Sequence, residues 1–265
     1  MAQTFEQSYD ALLKEIRSVA KYKHRYDVFR DFVTMSAIAL SNAIRKDQGR
    51  EDEYLKIIKS YEKADQMAFP KLLGLLTEAL EFAPFDVLGK LFMDLELGSR
   101  DKGQFFTPAT ISEMMAQILH GEELENLTKP FITLSEPACG AGGMVLAFVK
   151  TMISHGHDPA KRLWVQCIDV DRLAALMCYV QLALWNVPAE VLVGNTLSLQ
   201  FREVWHTPQH LLGMWEHRLA NREAHRAAGT PADSPPEVTA PRIPPGIETP
   251  VSGAPTKPVQ FDFGF

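Results

Sequence analysis

The chain has 265 residues, a formal net charge of −6, and 46% hydrophobic and 23% charged residues. That is the composition of a soluble globular protein, long enough for one sizeable domain and an accessory piece. It argues against a generally basic nucleic-acid binder, though a local basic face stays open, and no apolar run reaches the roughly 18 residues of a membrane span.

The first residues, MAQTFEQSYDALLKEIR, are polar and helical in spacing. They predict no leader peptide, hence a cytoplasmic location. Residues 1–83 read as an N-terminal helical domain. The stretch DVFRDFVTMSAIALSNAI is apolar nearly all round and predicts a buried helix. KYKHRYDVFR (21–30) interleaves basic and aromatic residues, which suits either phosphate contact or a solvated helix face.

Residues 84–226 change character. Helical patterns flank the loop GSRDKGQFFTP, and three short β candidates follow: FITLS (131–135), LWVQCI (163–168) and EVLV (190–193). They alternate with helices expected at 142–155 and 171–186, so the fold class is α/β with parallel strands. Residues 199–226 read as helical, broken at Pro208, and Arg202, His206, His210, Arg218, Arg222 and Arg226 then fall on one basic stripe. Residues 227–258 hold 9 of the 17 prolines and read as a disordered linker. Residues 259–265 alternate apolar with polar or small residues and read as a short docking segment.

Chemistry concentrates in SEPACGAGGMVLAF (135–148). Its small residues suit a strand-to-helix turn that holds a phosphate, another small molecule or nothing. No lysine or hydroxyl follows Gly143, so it is not a P-loop. Val145 stands where a dinucleotide fingerprint needs its third glycine, which weakens a nicotinamide site. Glu136 closes the first strand, where open α/β sheets bind ligands. Cys139 to Gly143 let backbone approach closely, and the next helix aims its N-terminus at the site, which suits a carboxylate. Asp169, 33 residues after Glu136, sits where an acid takes both hydroxyls of a ribose. Asp171 reads as an N-cap. A carboxylate pocket plus a ribose acid suits S-adenosylmethionine.

These residues resemble the N6-adenine DNA methyltransferases, and more narrowly the modification subunits of type I restriction-modification systems. The resemblance covers roughly residues 84–198. GQFFTP (103–108) is similar to the upstream motif that covers the methionine end of the cofactor, EPACGAGGM (136–144) to the main cofactor motif, IDVD (168–171) to the ribose motif, and GNTL (194–197) to the motif at the cofactor's adenine. The resemblance implies a Rossmann-like S-adenosylmethionine-dependent methyltransferase fold with a shortened sheet, DNA adenine as substrate class, and no metal. It implies cofactor contacts at Gln104, Phe105, Phe106, Thr107, Pro108, Glu136, Pro137, Ala138, Cys139, Gly140, Gly142, Asp169, Val170, Asn195 and Thr196. Cys139 itself reads as a small packing residue. The three cysteines show no CxxC spacing, and HGHD (155–158) offers no third ligand, so no metal site is expected.

The family's catalytic motif, [DNS]PP[YFW], should follow GNTL on a fourth strand. The sequence there is SLQFREVWHTPQHLLGMW, without it. SPPE (234–237) and IPPG (243–246) lie in the proline-rich stretch, and Glu237 stands where the aromatic belongs. No catalytic residue is assigned. The reading is a shortened protein that keeps the cofactor fold and lacks independent methyl transfer. By resemblance its function is DNA modification; the alternatives are a catalytically inactive module acting as a regulator, a decoy or a subunit through DNA or protein binding, and a small-molecule methyltransferase with a substrate pocket made by residues 199–226. Residues 199–226, the C-terminal segment or a partner chain would cover the open edge of the first strand. Gln260, Phe261, Phe263 and Phe265 are also similar to the peptide that docks proteins on the bacterial sliding clamp.

Overall fold

The computed structural model describes residues 4–97 and 109–227. The contacts expected at Gln104 to Pro108, the SPPE and IPPG sites, and the docking residues Gln260, Phe261, Phe263 and Phe265 lie outside the described residues. The chain divides after Asn221, and residues up to that point form one compact unit.

Local chemistry starts the helices. Thr4 and Gln7 make a reciprocal capping box at α1 (Phe5–Ser18). His24 caps α2 (Arg25–Asn42), which buries Val28, Phe29, Phe32, Val33 and Ile38 on several faces, as expected for a central helix. Asp47 caps α3 (Gln48–Lys59). A short α4 (Lys63–Gln66) and the amphipathic α5 (Ala68–Leu80) follow, and Asp86 caps α6 (Val87–Asp94) through the Gly89 amide at 2.7 Å.

After α7 (Ala109–Glu125) the chain alternates strand and helix. The elements are β1 (Ile132–Glu136), α8 (Gly143–Ser154), a short α9 (Pro159–Arg162), β2 (Leu163–Asp169), α10 (Arg172–Leu184) and β3 (Ala189–Asn195). Asp171 caps α10, as its position predicts. β1, β2 and β3 pair in parallel in that order, with Glu136 beside Cys167 and Asp169 beside Val193. This is one half of a doubly wound sheet. Leu163, Val165, Cys167, Val191 and Val193 are buried, and one continuous apolar core runs from Tyr9 of α1 to Trp205.

Residues 199–226 depart from the helical expectation. β4 (Gln200–His206) folds back antiparallel on β3, and only then do α11 (Pro208–Leu212) and α12 (Trp215–Ala227) form. Aromatic and β-branched residues in QFREVWH suit a pleated ladder, and Trp205 is buried against Tyr179 of α10 and the guanidinium of Arg50. Gly194 makes the hairpin possible, because a methyl group there would strike the backbone of Gln200 and Phe201. The sheet order is therefore β1-β2-β3-β4, with β1 at one end and Thr133 and Ser135 exposed.

Some of the side chains in the expected basic features are held by the protein itself. Arg25 donates to the carbonyls of Ile16, Val19, Ala20 and Lys23. Arg30 pairs with Asp27 and Asp31. The second stripe is divided between strand and helix. Arg202 donates to the Val170 carbonyl, and Arg218 lies over the Trp215 ring.

One sheet face carries a polar ladder. His206 meets Glu190 at 3.1 Å and stacks on His210, whose Nδ1 faces the Trp164 indole nitrogen at 3.0 Å. Burial, and then the neighbouring His206, lower the His210 pKa to about 4, against the opposing pull of Glu190 and Glu216. The folded state therefore holds His210 neutral where the unfolded chain already takes up a proton. Stability is full above about pH 6.5 and falls as pH drops toward 4, by at most about 3 kcal/mol. Urea unfolding between pH 7 and 4 should show this slope, and His210→Asn should flatten it.

Candidate functional site

The carboxyl ends of β1, β2 and β3 meet at one edge of the sheet, and hydrogen bonds tie them together. The turn 137–142 leaves β1 and reaches α8 through two left-handed glycines, Gly140 (φ 53°) and Gly142 (φ 92°). A side chain at Gly142 would also press on Cys178 Sγ, at 2.9 Å from its first carbon. The Gly140 amide donates to Asp169 Oδ2 at 2.8 Å, and the Cys139 amide to the Ile168 carbonyl at 2.9 Å. Thr196, just beyond β3, donates its hydroxyl to the Pro137 carbonyl at 2.6 Å. Glu136, Pro137, Ala138, Cys139, Gly140, Gly142, Asp169, Val170, Asn195 and Thr196 thus converge as the sequence reading groups them.

Asp169 also accepts the Asp171 amide at 2.8 Å. The Val170 amide bears on the carboxylate as well, so of its roughly four acceptor sites at least one stays open for a further donor. Burial raises its pKa, partly offset by these backbone donors. Burial likewise raises Glu136, which accepts weakly from the Ala138 amide. Asn195 is exposed and accepts the Leu197 and Ser198 amides at 2.9 and 3.3 Å, which leaves its side-chain amide N–H₂ group for a ligand. Gly142 offers no side-chain cap to α8, so the helix N-terminus presents its first amides to whatever occupies the site.

Two residues escape the sequence reading. Gln181 of α10 is fully buried and donates to the Ala141 carbonyl at 2.8 Å and to Asp86 Oδ1 at 2.9 Å, while accepting the Leu88 amide at 3.0 Å. Asp86 lies against the turn, since a methyl group on Gly143 would stand 3.5 Å from its Oδ2. Burial raises the Asp86 pKa against the donors Gln181 and Gly89. The available signal is a glutamine inside the otherwise apolar helix RLAALMCYVQLAL, where an uncompensated amide would be costly.

Residues 93–211 match the family described as N-6 DNA Methylase. Over that segment the chain resembles the N6-adenine DNA methyltransferases. The methylase segment contains the glycine turn, Asp169 and Asn195. Among solved structures, the chain is similar to a Listeria monocytogenes protein assigned to the class I S-adenosylmethionine-dependent methyltransferases. The identity is 15% and the TM-score 0.43, over 72% of this chain and 55% of that one. The chain thus spans about half the length of that structure. No curated protein matches.

Replacing Gln181 by leucine would strand the Ala141 carbonyl and the Leu88 amide. The expected loss is roughly 2–5 kcal/mol, read as a lower urea midpoint. A midpoint within error of wild type would mean that Gln181 does not hold the turn.

Proposed function

We propose that this protein binds S-adenosylmethionine at the carboxyl ends of β1 to β3, as the cofactor half of an N6-adenine DNA methylase. The observation that carries the reading is the Asp169–Gly140 hydrogen bond. It fixes an acid with acceptor capacity to spare beside a left-handed glycine turn and an uncapped helix N-terminus.

The residues fit each part of such a ligand. Asp169 would accept the two ribose hydroxyls, and its fixed carboxylate would orient the sugar across the turn. Asn195 would meet the adenine edge. The N-terminus of α8 suits the carboxylate of the methionine end. Asp86 Oδ2, which receives no hydrogen bond among the described residues, suits the ammonium. When bound, the cofactor supplies a sulfonium-activated methyl group. Gly140 and Gly142 keep side-chain atoms away from the turn, so its backbone can lie against the ligand.

Asp169→Asn should weaken S-adenosylmethionine binding by about 10- to 100-fold in calorimetry, since charged hydrogen bonds are worth roughly 1.5–3 kcal/mol each. Asparagine keeps an acceptor for Gly140, so the turn survives the change. No heat on wild type with either the cofactor or its demethylated product would refute the reading.

By the family match, DNA is the proposed substrate class. Among the described residues, no [DNS]PP[YFW] motif, which in relatives holds and stacks the flipped adenine, stands at the site. β4 turns away from β1, next to which the motif's strand would lie. We therefore assign the chain a non-catalytic role as regulator, decoy or subunit, in which it binds cofactor and acts through DNA or a partner protein. Incubated alone with genomic DNA and labelled cofactor, it should transfer no methyl groups. Labelled N6-methyladenine that disappears in Asp169→Ala would overturn that assignment.

A further inference from the structure

Beneath the glycine turn lies a feature that the cofactor reading does not use. The sulfur atoms of Cys139, Cys167 and Cys178 all lie within 4.8 Å of one another, and all three residues are buried. They come from three separate elements: the turn, β2 and α10. Sequence spacing hides the group, because parallel pairing sets Cys167 beside Glu136, three residues before Cys139, and α10 brings Cys178 against Gly142.

The spacing is that of a metal-binding set. Three thiolates bonded at about 2.3 Å to one central ion stand roughly 4 Å apart. The cluster needs only a small contraction to reach that value. No fourth histidine, cysteine or carboxylate joins it among the described residues. Structural zinc sites want four ligands in a tetrahedron, whereas soft thiolates without a fourth partner suit copper(I). Cys139 belongs to the turn itself, which gives an ion a way in from the ligand-facing side.

We propose that Cys139, Cys167 and Cys178 form a three-coordinate thiolate site for copper(I) directly under the glycine turn. Each thiol gives up its proton to solvent as its sulfur–metal bond forms, and no electron is transferred. The ion would fasten β1's turn, β2 and α10 at one point. The proposal does not rest on cofactor binding, and its test contains no cofactor.

The test uses the full chain, reduced and oxygen-free, competing for copper(I) with a chromogenic copper(I) chelator. The expected result is one copper per chain, an ultraviolet sulfur-to-copper charge-transfer band, and three sulfur neighbours by X-ray absorption. Cys167→Ser and Cys178→Ala should each weaken binding by more than about 100-fold, beyond the loss typical of an outer-shell partner. Absence of uptake by wild type would overturn the proposal. So would equal uptake by the variants, nitrogen or oxygen neighbours around the copper, or tighter binding of zinc with a fourth ligand. The absorption measurement is made on wild type, so its outcome does not depend on whether a variant folds.

Discussion

The side chain of Gln181 is the point on which the architecture turns. From α10 its amide ties together two segments distant in sequence: the start of α6, through the Leu88 amide and the capping Asp86 carboxylate, and the carbonyl of Ala141 in the glycine turn. It sits fully buried inside α10, where an amide is tolerated only when its donors and acceptor are matched. Here the amide makes three such bonds. The helical residues before position 97 are thereby fixed to the sheet's carboxyl-end edge as well as to its apolar core, and one continuous core follows. The turn is rigid because its carbonyl is held from α10, its amide from Asp169 and its proline carbonyl from Thr196.

Rigidity at that edge has a chemical meaning. A ligand that meets backbone amides and a prepositioned carboxylate does not have to order them, so less of its binding energy is lost to conformational entropy. The same arrangement explains the glycines. Gly140 and Gly142 carry left-handed backbone, and Gly142 also makes room for Cys178. Gly194 does a separate job at the end of β3, where it lets the β3–β4 hairpin close without a collision.

Much of this is legible in the sequence because short-range rules decide it. β1, β2 and β3 announce themselves as short apolar runs between helical patterns, and Asp171 announces the start of α10. The grouping of Glu136, Gly140, Asp169 and Asn195 follows from a parallel sheet putting successive strand ends side by side. What escapes is long-range. QFREVWH has no alternation strong enough to outweigh the helical spacing of its charges. Its strand character comes from β3's free edge and from the pocket that Tyr179 and Arg50 make for Trp205. KYKHRYDVFR suits either phosphate contact or a solvated face because sequence does not show that Arg25 donates to four carbonyls. Gln181 and the cysteine cluster escape for the same reason, since their partners lie tens of residues away.

The reversal at Gly194 bears most directly on chemistry. In a doubly wound sheet the chain leaves the third strand and crosses back past the first, so that the next strand lies on β1's free side. Here the chain instead makes a tight hairpin and adds β4 to the far side of β3. Residues 200–206 are thereby placed on the opposite side of the sheet from β1's free edge. That segment is separated from Glu136 by β2 and β3. Among the described strands β1 ends the sheet on that side.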